Sequence, residues 1–203
     1  TRHSTPDTLI AMLQPPVRRQ TMQGLLALLL ACVCLLLNPA WAQNVELPTV
    51  RTSRGEGTLD LEFAVRLSLP RAVEDAMHRG VPVYFVAEAR LLRDRWYWRD
   101  ERVARVQRTW RVAYQPLTGN WRVGLGGLNQ THATLTEALA TVSRSAGWKL
   151  ADLSQIDPDK SYYVDFSYRL DNAQLPGPMQ FALGGQNDWA VGGSRVIKAE
   201  FGP

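Results

Sequence analysis

Eight arginines crowd one short segment, at positions 90, 93, 95, 99, 102, 105, 108 and 111, with Trp96, Tyr97, Trp98 and Trp110 among them. Asp94, Asp100 and Glu101 oppose them, leaving the segment with a net charge of +5. Guanidinium groups bind carboxylate, phosphate or sulfate through paired donors and stack on aromatic rings. Arginine and tryptophan are also the residue types that dominate binding hot spots. Arg93, Arg95, Trp96, Trp98, Arg99 and Arg102 are therefore the candidate binding residues, for a lipid headgroup, a glycan or an acidic protein face. The competing reading is a two-stranded ribbon whose arginine-coated solvent face is neutralised by cross-strand acids.

The remaining reactive side chains offer less. Beyond the first 42 residues the histidines are His78 and His132. His78 falls near a predicted helix C-terminus, where the dipole favours a cation. His132 follows Gly126-Gly127 and precedes a predicted helix, a setting that can hold an anion. No phosphate-loop Lys-Ser/Thr follows, however, and no second histidine stands at ligand spacing. There is no G-x-S-x-G. Asp100-Glu101 reads as the border of the ribbon turn, and Asp157-Pro158-Asp159 as turn chemistry without the further ligands a calcium loop needs. No catalytic residue, metal or cofactor is assigned on these grounds.

The elements that must position these residues follow from period-2 alternation. Leu59, Leu61, Phe63, Val65, Leu67 and Leu69 alternate with polar residues as a half-buried strand. A second strand runs from Val81 through Phe85 to Leu91, and Val86 and Leu92 on its other face mark it as central. Val106, Trp110, Val112 and Tyr114 form a third, backed by Arg105, Gln107, Thr109 and Arg111. The turn Pro116–Asn120 leads into Trp121, Val123 and Leu125 as a hairpin. Tyr162 to Leu170 is another strand, with Asp165, Ser167 and Arg169 on its polar side, and a last one is expected over Arg195–Phe201. The ribbon is expected to turn near Trp98–Glu101.

Two short helices are predicted. One starts with Pro70 at its first position, buries Val73, Ala76 and Met77, and stops at Gly80. The other opens with the capping box Thr134–Glu137 and runs toward Gly147, burying Leu135, Ala138, Leu139 and Val142. Residues 171–194 read mostly as loop. The expected fold is α+β and β-dominated, an antiparallel sheet that is sandwich-like or strongly curved, with two short helices.

Arg18-Arg19, the apolar run Leu25–Leu37 and the small-x-small site Ala40-Trp41-Ala42 have the order of a secretory signal peptide, with cleavage between Ala42 and Gln43. The run covers about 20 Å as a helix, short of a bilayer core of roughly 30 Å. The first methionine is Met12. The expected organisation is thus 1–11 upstream of the start, 12–42 signal peptide and 43–203 one globular domain, periplasmic or secreted. Cys32 and Cys34 both lie in the apolar run, so the mature chain would have no disulfide. Leu29–Cys32 is a poor lipoprotein box, because Leu30 is bulky and the run continues beyond Cys32.

With 203 residues, 45% apolar and 21% charged, the composition is ordinary for a globular chain and excludes polytopic membrane, collagen-like, coiled-coil and disulfide-dense classes. From Gln43 onward 20 basic residues face 18 acidic ones, too near balance for bulk attraction to nucleic acid.

Specific words in the sequence carry a resemblance. They are Leu69-Pro70, Val73–Ala76, Arg79–Glu88, Arg95–Glu101, Arg108–Arg111, Gly126–Leu128, Leu170-Asp171 and Gln174–Pro176. Together they resemble a family of exported proteobacterial proteins, a domain of unknown function whose members are sometimes labelled "proline-rich signal peptide protein". Its members are often encoded beside nitrogen-regulation-type sensor kinases. The resemblance spans roughly residues 45–201 and implies export and a single domain, with no activity, cofactor or catalytic residue to carry over. The expectation is an exported, non-enzymatic interaction module. By analogy, the extracytoplasmic region of a sensor kinase is one partner to consider. The alternatives are a carrier of an apolar or lipidic ligand, which needs a deep apolar cavity, and an enzyme using carboxylates that the sequence does not single out.

Overall fold

A computed structural model describes residues 44–95, 99–174 and 189–201. The expected signal peptide, its cleavage site at Ala42 and Gln43, and Trp96, Tyr97 and Trp98 lie outside the described residues.

The chain runs β1 (Val45–Arg54), β2 (Thr58–Leu67), α1 (Arg71–His78), β3 (Val83–Arg93), β4 (Glu101–Gln115), β5 (Asn120–Leu125), β6 (Leu128–His132), α2 (Leu135–Val142), β7 (Arg144–Asp152), β8 (Tyr162–Leu170) and β9 (Gly192–Lys198). It is a β-dominated α+β fold of two antiparallel sheets. The smaller has the order β1-β2-β7, the larger β6-β5-β4-β3-β8-β9.

Alternation decides which side chains meet between the sheets. Leu59, Leu61, Phe63 and Val65 of β2 are buried, as are Val83, Phe85, Ala87, Ala89 and Leu91 of β3 and Tyr162, Val164, Phe166, Tyr168 and Leu170 of β8. Phe63 from the small sheet sits at the centre, its ring 4.9 Å from Phe166, 6.1 Å from Tyr168 and Trp148, and 6.2 Å from Trp110. These tilted and edge-on contacts suit the ring quadrupoles. The Tyr168 hydroxyl, fully enclosed, donates to the Val142 carbonyl at 3.0 Å, which ties the end of α2 to the large sheet. Burial pushes that phenol's pKa up.

The β3–β4 ribbon is antiparallel with Arg93 opposite Glu101, so the connection spans residues 94–100 and Glu101 already belongs to the strand. β3 is central, between β4 and β8. Several expected boundaries are corrected. Pro70 caps α1 rather than opening it. α2 stops at Val142 rather than near Gly147, because Ser143 turns the chain: its hydroxyl donates to Leu139 O at 2.6 Å while its carbonyl accepts from Val65 N at 2.8 Å. Gly147 then lies inside β7. The last strand is Gly192–Lys198, three residues before the expected position, because its pairing with β8 is set by Tyr163–Arg169. β1, β6 and β7 were not expected. β1 carries Pro48 and a register irregularity, and β6 is short and polar, so neither shows apolar alternation.

Candidate functional site

The site is the solvent-side face of the six-stranded sheet, and the residues on it follow from register. On β3 the outward positions are Tyr84, Val86, Glu88, Arg90 and Leu92. Pairing sets Arg111, Thr109, Gln107, Arg105 and Arg102 beside them on β4. It sets Arg169, Ser167, Asp165 and Tyr163 beside them on β8. Arg122 on β5 and Lys198 on β9 extend the same face. The face thus carries seven cations, Arg90, Arg102, Arg105, Arg111, Arg122, Arg169 and Lys198, against two acids, Glu88 and Asp165. Five strands, β5 to β9 in the order of the sheet, at about 4.8 Å spacing spread these charges over roughly 19 Å.

The two acids neutralise the middle of the face. Arg90 meets Asp165 at 2.7 Å and Glu88 at 3.7 Å, and Arg105 meets Glu88 at 2.9 Å. The Glu88 side chain is only 14% exposed, and the hydrogen bond from Arg105 holds its carboxyl below the usual 4.5 against the opposing effect of burial. Around this ladder Arg102, Arg111, Arg122, Arg169 and Lys198 are exposed and make no ion pair among the described residues.

The candidate residues of the ribbon have different fates. Arg93 lies on the inner face, opposite Glu101 and Tyr162. Arg93 and Arg95 both pair with Glu101, and their guanidinium groups hold its carboxyl below the usual range, Arg93 most strongly. Asp100 accepts from the Arg95 backbone N–H at 3.3 Å and from the Tyr163 hydroxyl, whose pKa is pushed up to about 12 chiefly by that bond. Arg99 and Arg102 are exposed and make no ion pair among the described residues; Arg102 belongs to the broad face. Trp96 and Trp98 lie outside the described residues. Arg108 turns inward, where it lies 4.9 Å over the Trp148 ring and donates to Ser145 Oγ at 2.6 Å, and burial lowers its pKa.

Sequence reasoning missed the part played by Arg122, Arg169 and Lys198 in this face, and the neutralising roles of Glu88 and Asp165. The signal was present as strand parity: Asp165 and Arg169 share one side of β8. Only the strand order brings that side next to Arg90.

The histidines stay apart. His132 Nε2 lies 3.2 Å from Thr141 Oγ1, and the His78 ring stands edge-on to Trp121 at 5.1 Å. The Gly126-Gly127 segment is a hairpin turn into β6, not a loop opening on a helix. Asp157 accepts from the Asp159 N–H at 3.0 Å, the Asx-type turn expected there. Among the described residues no three His, Cys, Asp or Glu side chains converge as metal ligands. A cleft of about 300 Å³ at the β1–β9 seam is lined by Val45, Glu46, Leu47, Gly193, Ser194 and Arg195, a mixed and open lining rather than an apolar chamber.

A protein-family model described as "Domain of unknown function (DUF4390)" matches residues 42–196. No curated protein and no solved structure matches the chain.

Proposed function

The chain belongs to the DUF4390 family, a domain of unknown function, and from that premise we propose that it is an exported, non-enzymatic interaction module whose outer sheet face binds an acidic protein. The observation that carries this reading is the set of five exposed cations, on β4, β5, β8 and β9, that make no ion pair among the described residues. Arg102, Arg111, Arg122 and Arg169 present forked donors to carboxylates, and a rigid sheet holds them at fixed spacing. An acidic protein fits better than a membrane surface. Among the described residues Val196 is the one large apolar side chain on the face that stands well exposed, so the face has little to insert into a bilayer. Export is supported by the basic pair, the 13-residue apolar run and the Ala40-Trp41-Ala42 site.

The test uses poly-L-glutamate and vesicles of anionic phosphatidylglycerol as probes. Poly-L-glutamate should bind in a salt-dependent manner. Arg111→Ser with Arg169→Ser should weaken it about tenfold while changing stability by no more than about 0.5 kcal/mol per site, because both side chains are exposed. Arg95→Ala with Arg99→Ala should weaken it less, since Glu101 already holds Arg95. A larger effect from the second pair would move the site to the ribbon tip. Unchanged binding in both, or binding to vesicles alone, would overturn the proposal.

A further inference from the structure

We infer that the free edge of β6 accepts an added β-strand from the acidic partner, and that this strand alternates carboxylate with apolar side chains. This rests on the reading of the outer face given above and specifies how the partner engages it.

The other strands at sheet margins, β1, β7 and β9, are protected, β9 by carrying Arg195 and Lys198 and by its seam with β1. β1 carries Pro48, Arg51, Arg54 and an irregularity between Glu46 and Thr49. It also lies against β9: Arg195 Nη1 donates to the carbonyls of Leu47 at 2.9 Å and Pro48 at 3.4 Å, and Thr52 Oγ1 bridges to the Glu200 backbone. β7 shifts register twice against β2. Such irregularities, prolines and charges are how natural sheets discourage strand addition. β6 has none of them. Leu128-Asn129-Gln130-Thr131-His132 holds no proline and no Lys, Arg, Asp or Glu, keeps an unbroken register with β5, and is exposed along its first four residues.

The backbone of β6 is set to receive a partner. Gly126 and Gly127 both have positive φ, 54° and 94°, as a two-residue hairpin turn of the primed type requires. That turn makes Leu125 and Leu128 the hydrogen-bonded pair. By alternation, the N–H and C=O of Asn129 and Thr131 then point away from β5. Four backbone groups in a row thus face outward at strand spacing.

The side chains state what kind of strand fits. Arg122 on β5 reaches across β6, its Nε donating to Asn129 Oδ1 at 3.1 Å. Gly124 leaves room for this, since a Cβ there would stand 3.1 Å from the same Asn129 oxygen. The Arg122 charge is thereby carried toward the edge, with no ion pair among the described residues. A carboxylate on the outer side of an added strand would meet it. On the opposite side Leu128, 76% exposed, offers an apolar neighbour. A second copy of β6 fits poorly: it brings no carboxylate, so an edge-to-edge pair would leave both Arg122 charges unanswered.

The experiment measures binding of a labelled peptide of about eight residues that alternates valine and glutamate, against a block-ordered peptide of the same composition. The alternating peptide should bind about tenfold tighter. Thr131→Pro removes one outward N–H and no arginine; it should abolish that preference, while Thr131→Val should keep it. On the unmodified protein, hydrogen exchange should show the Asn129 and Thr131 amides becoming protected when the alternating peptide is added, a readout that does not depend on any variant folding. Equal affinity for the two peptides, or amides that stay unprotected, would overturn strand addition. The broader reading of the face would then stand or fall on the Arg111/Arg169 variant alone. Concentration-dependent self-association lost in Thr131→Pro would assign the edge to a second copy and likewise overturn the inference.

Discussion

The two faces of the six-stranded sheet are made by neighbouring residues of the same strands, yet they obey different rules. On β3 the inward series Val83, Phe85, Ala87, Ala89 and Leu91 is entirely buried, whereas Glu88 and Arg90, one residue away in each case, form an ion-pair ladder with Arg105 and Asp165. On β8 the inward Phe166 and Tyr168 pack around Phe63, while Asp165 and Arg169 look outward. Inside, shape and enclosure carry the energy, because every methylene lost leaves a void that the surroundings cannot fill. Outside, exposed charge contributes little to stability and is left for interactions with other molecules. Two arginines of the ribbon stand at inward positions: Arg93, at its end, is met by Glu101, whereas Arg108 is accommodated by stacking on Trp148 rather than by a carboxylate.

Three substitutions would sharpen or break this contrast. The largest effect is expected from Phe166→Ala. The ring is fully buried against Phe63, and its removal should cost about 3–5 kcal/mol in urea unfolding. A cost below about 1 kcal/mol would mean the two sheets are not packed through this residue. Tyr168→Phe comes next: it keeps the volume but leaves the Val142 carbonyl without its buried donor, so a loss of about 1–3 kcal/mol is expected. A neutral result would show that water reaches the end of α2. The smallest effect belongs to the outer face. Because Arg105 depresses the folded-state pKa of Glu88, its stabilisation is fully present above the unfolded value of 4.5 and is lost as pH falls through the lower folded value. Glu88→Gln should therefore cost no more than about 1 kcal/mol at neutral pH and make the decline below pH 4.5 shallower. An identical acid profile in both proteins would remove Glu88 from the ladder.

Much of this was legible in the residues. Period-2 alternation located β2, β4, β5 and β8, because each has one apolar side and one polar side and only one register buries the apolar set, and β3, whose second face also carries Val86 and Leu92 because it is central. Thr134 announced α2 through its side chain, which accepts from the Glu137 N–H at 3.2 Å, while Glu137 reaches back to the Ala133 N–H at 3.1 Å. β6 was not legible, because a strand exposed on four of its five residues carries no hydrophobic signal. β7 was hidden by Gly147, which reads as a helix stop but here sits in the strand with φ +58°. The arginine cluster was legible as a density of charge in sequence, and its division into held and free groups was not. Glu101 holds Arg93 and Arg95 from across the ribbon turn, and Asp165 holds Arg90 from a strand 75 residues away.

The sequence by itself determined which residue faces which side along β2, β3, β5, β8 and the regular part of β4, since that depends on the parity of neighbours along one chain; the irregularity of β4 that puts Arg102 on the same face as Arg105 was set by pairing. It also determined that two short helices interrupt the sheets, through caps and prolines acting within a few residues. Strand order was decided by the tertiary structure alone, because pairing β3 with both β4 and β8 depends on burying two sheets against one another, a gain shared by residues far apart in the chain. That order places Arg169 and Lys198 beside the ribbon, turns Arg108 onto Trp148, and leaves β6 as an edge.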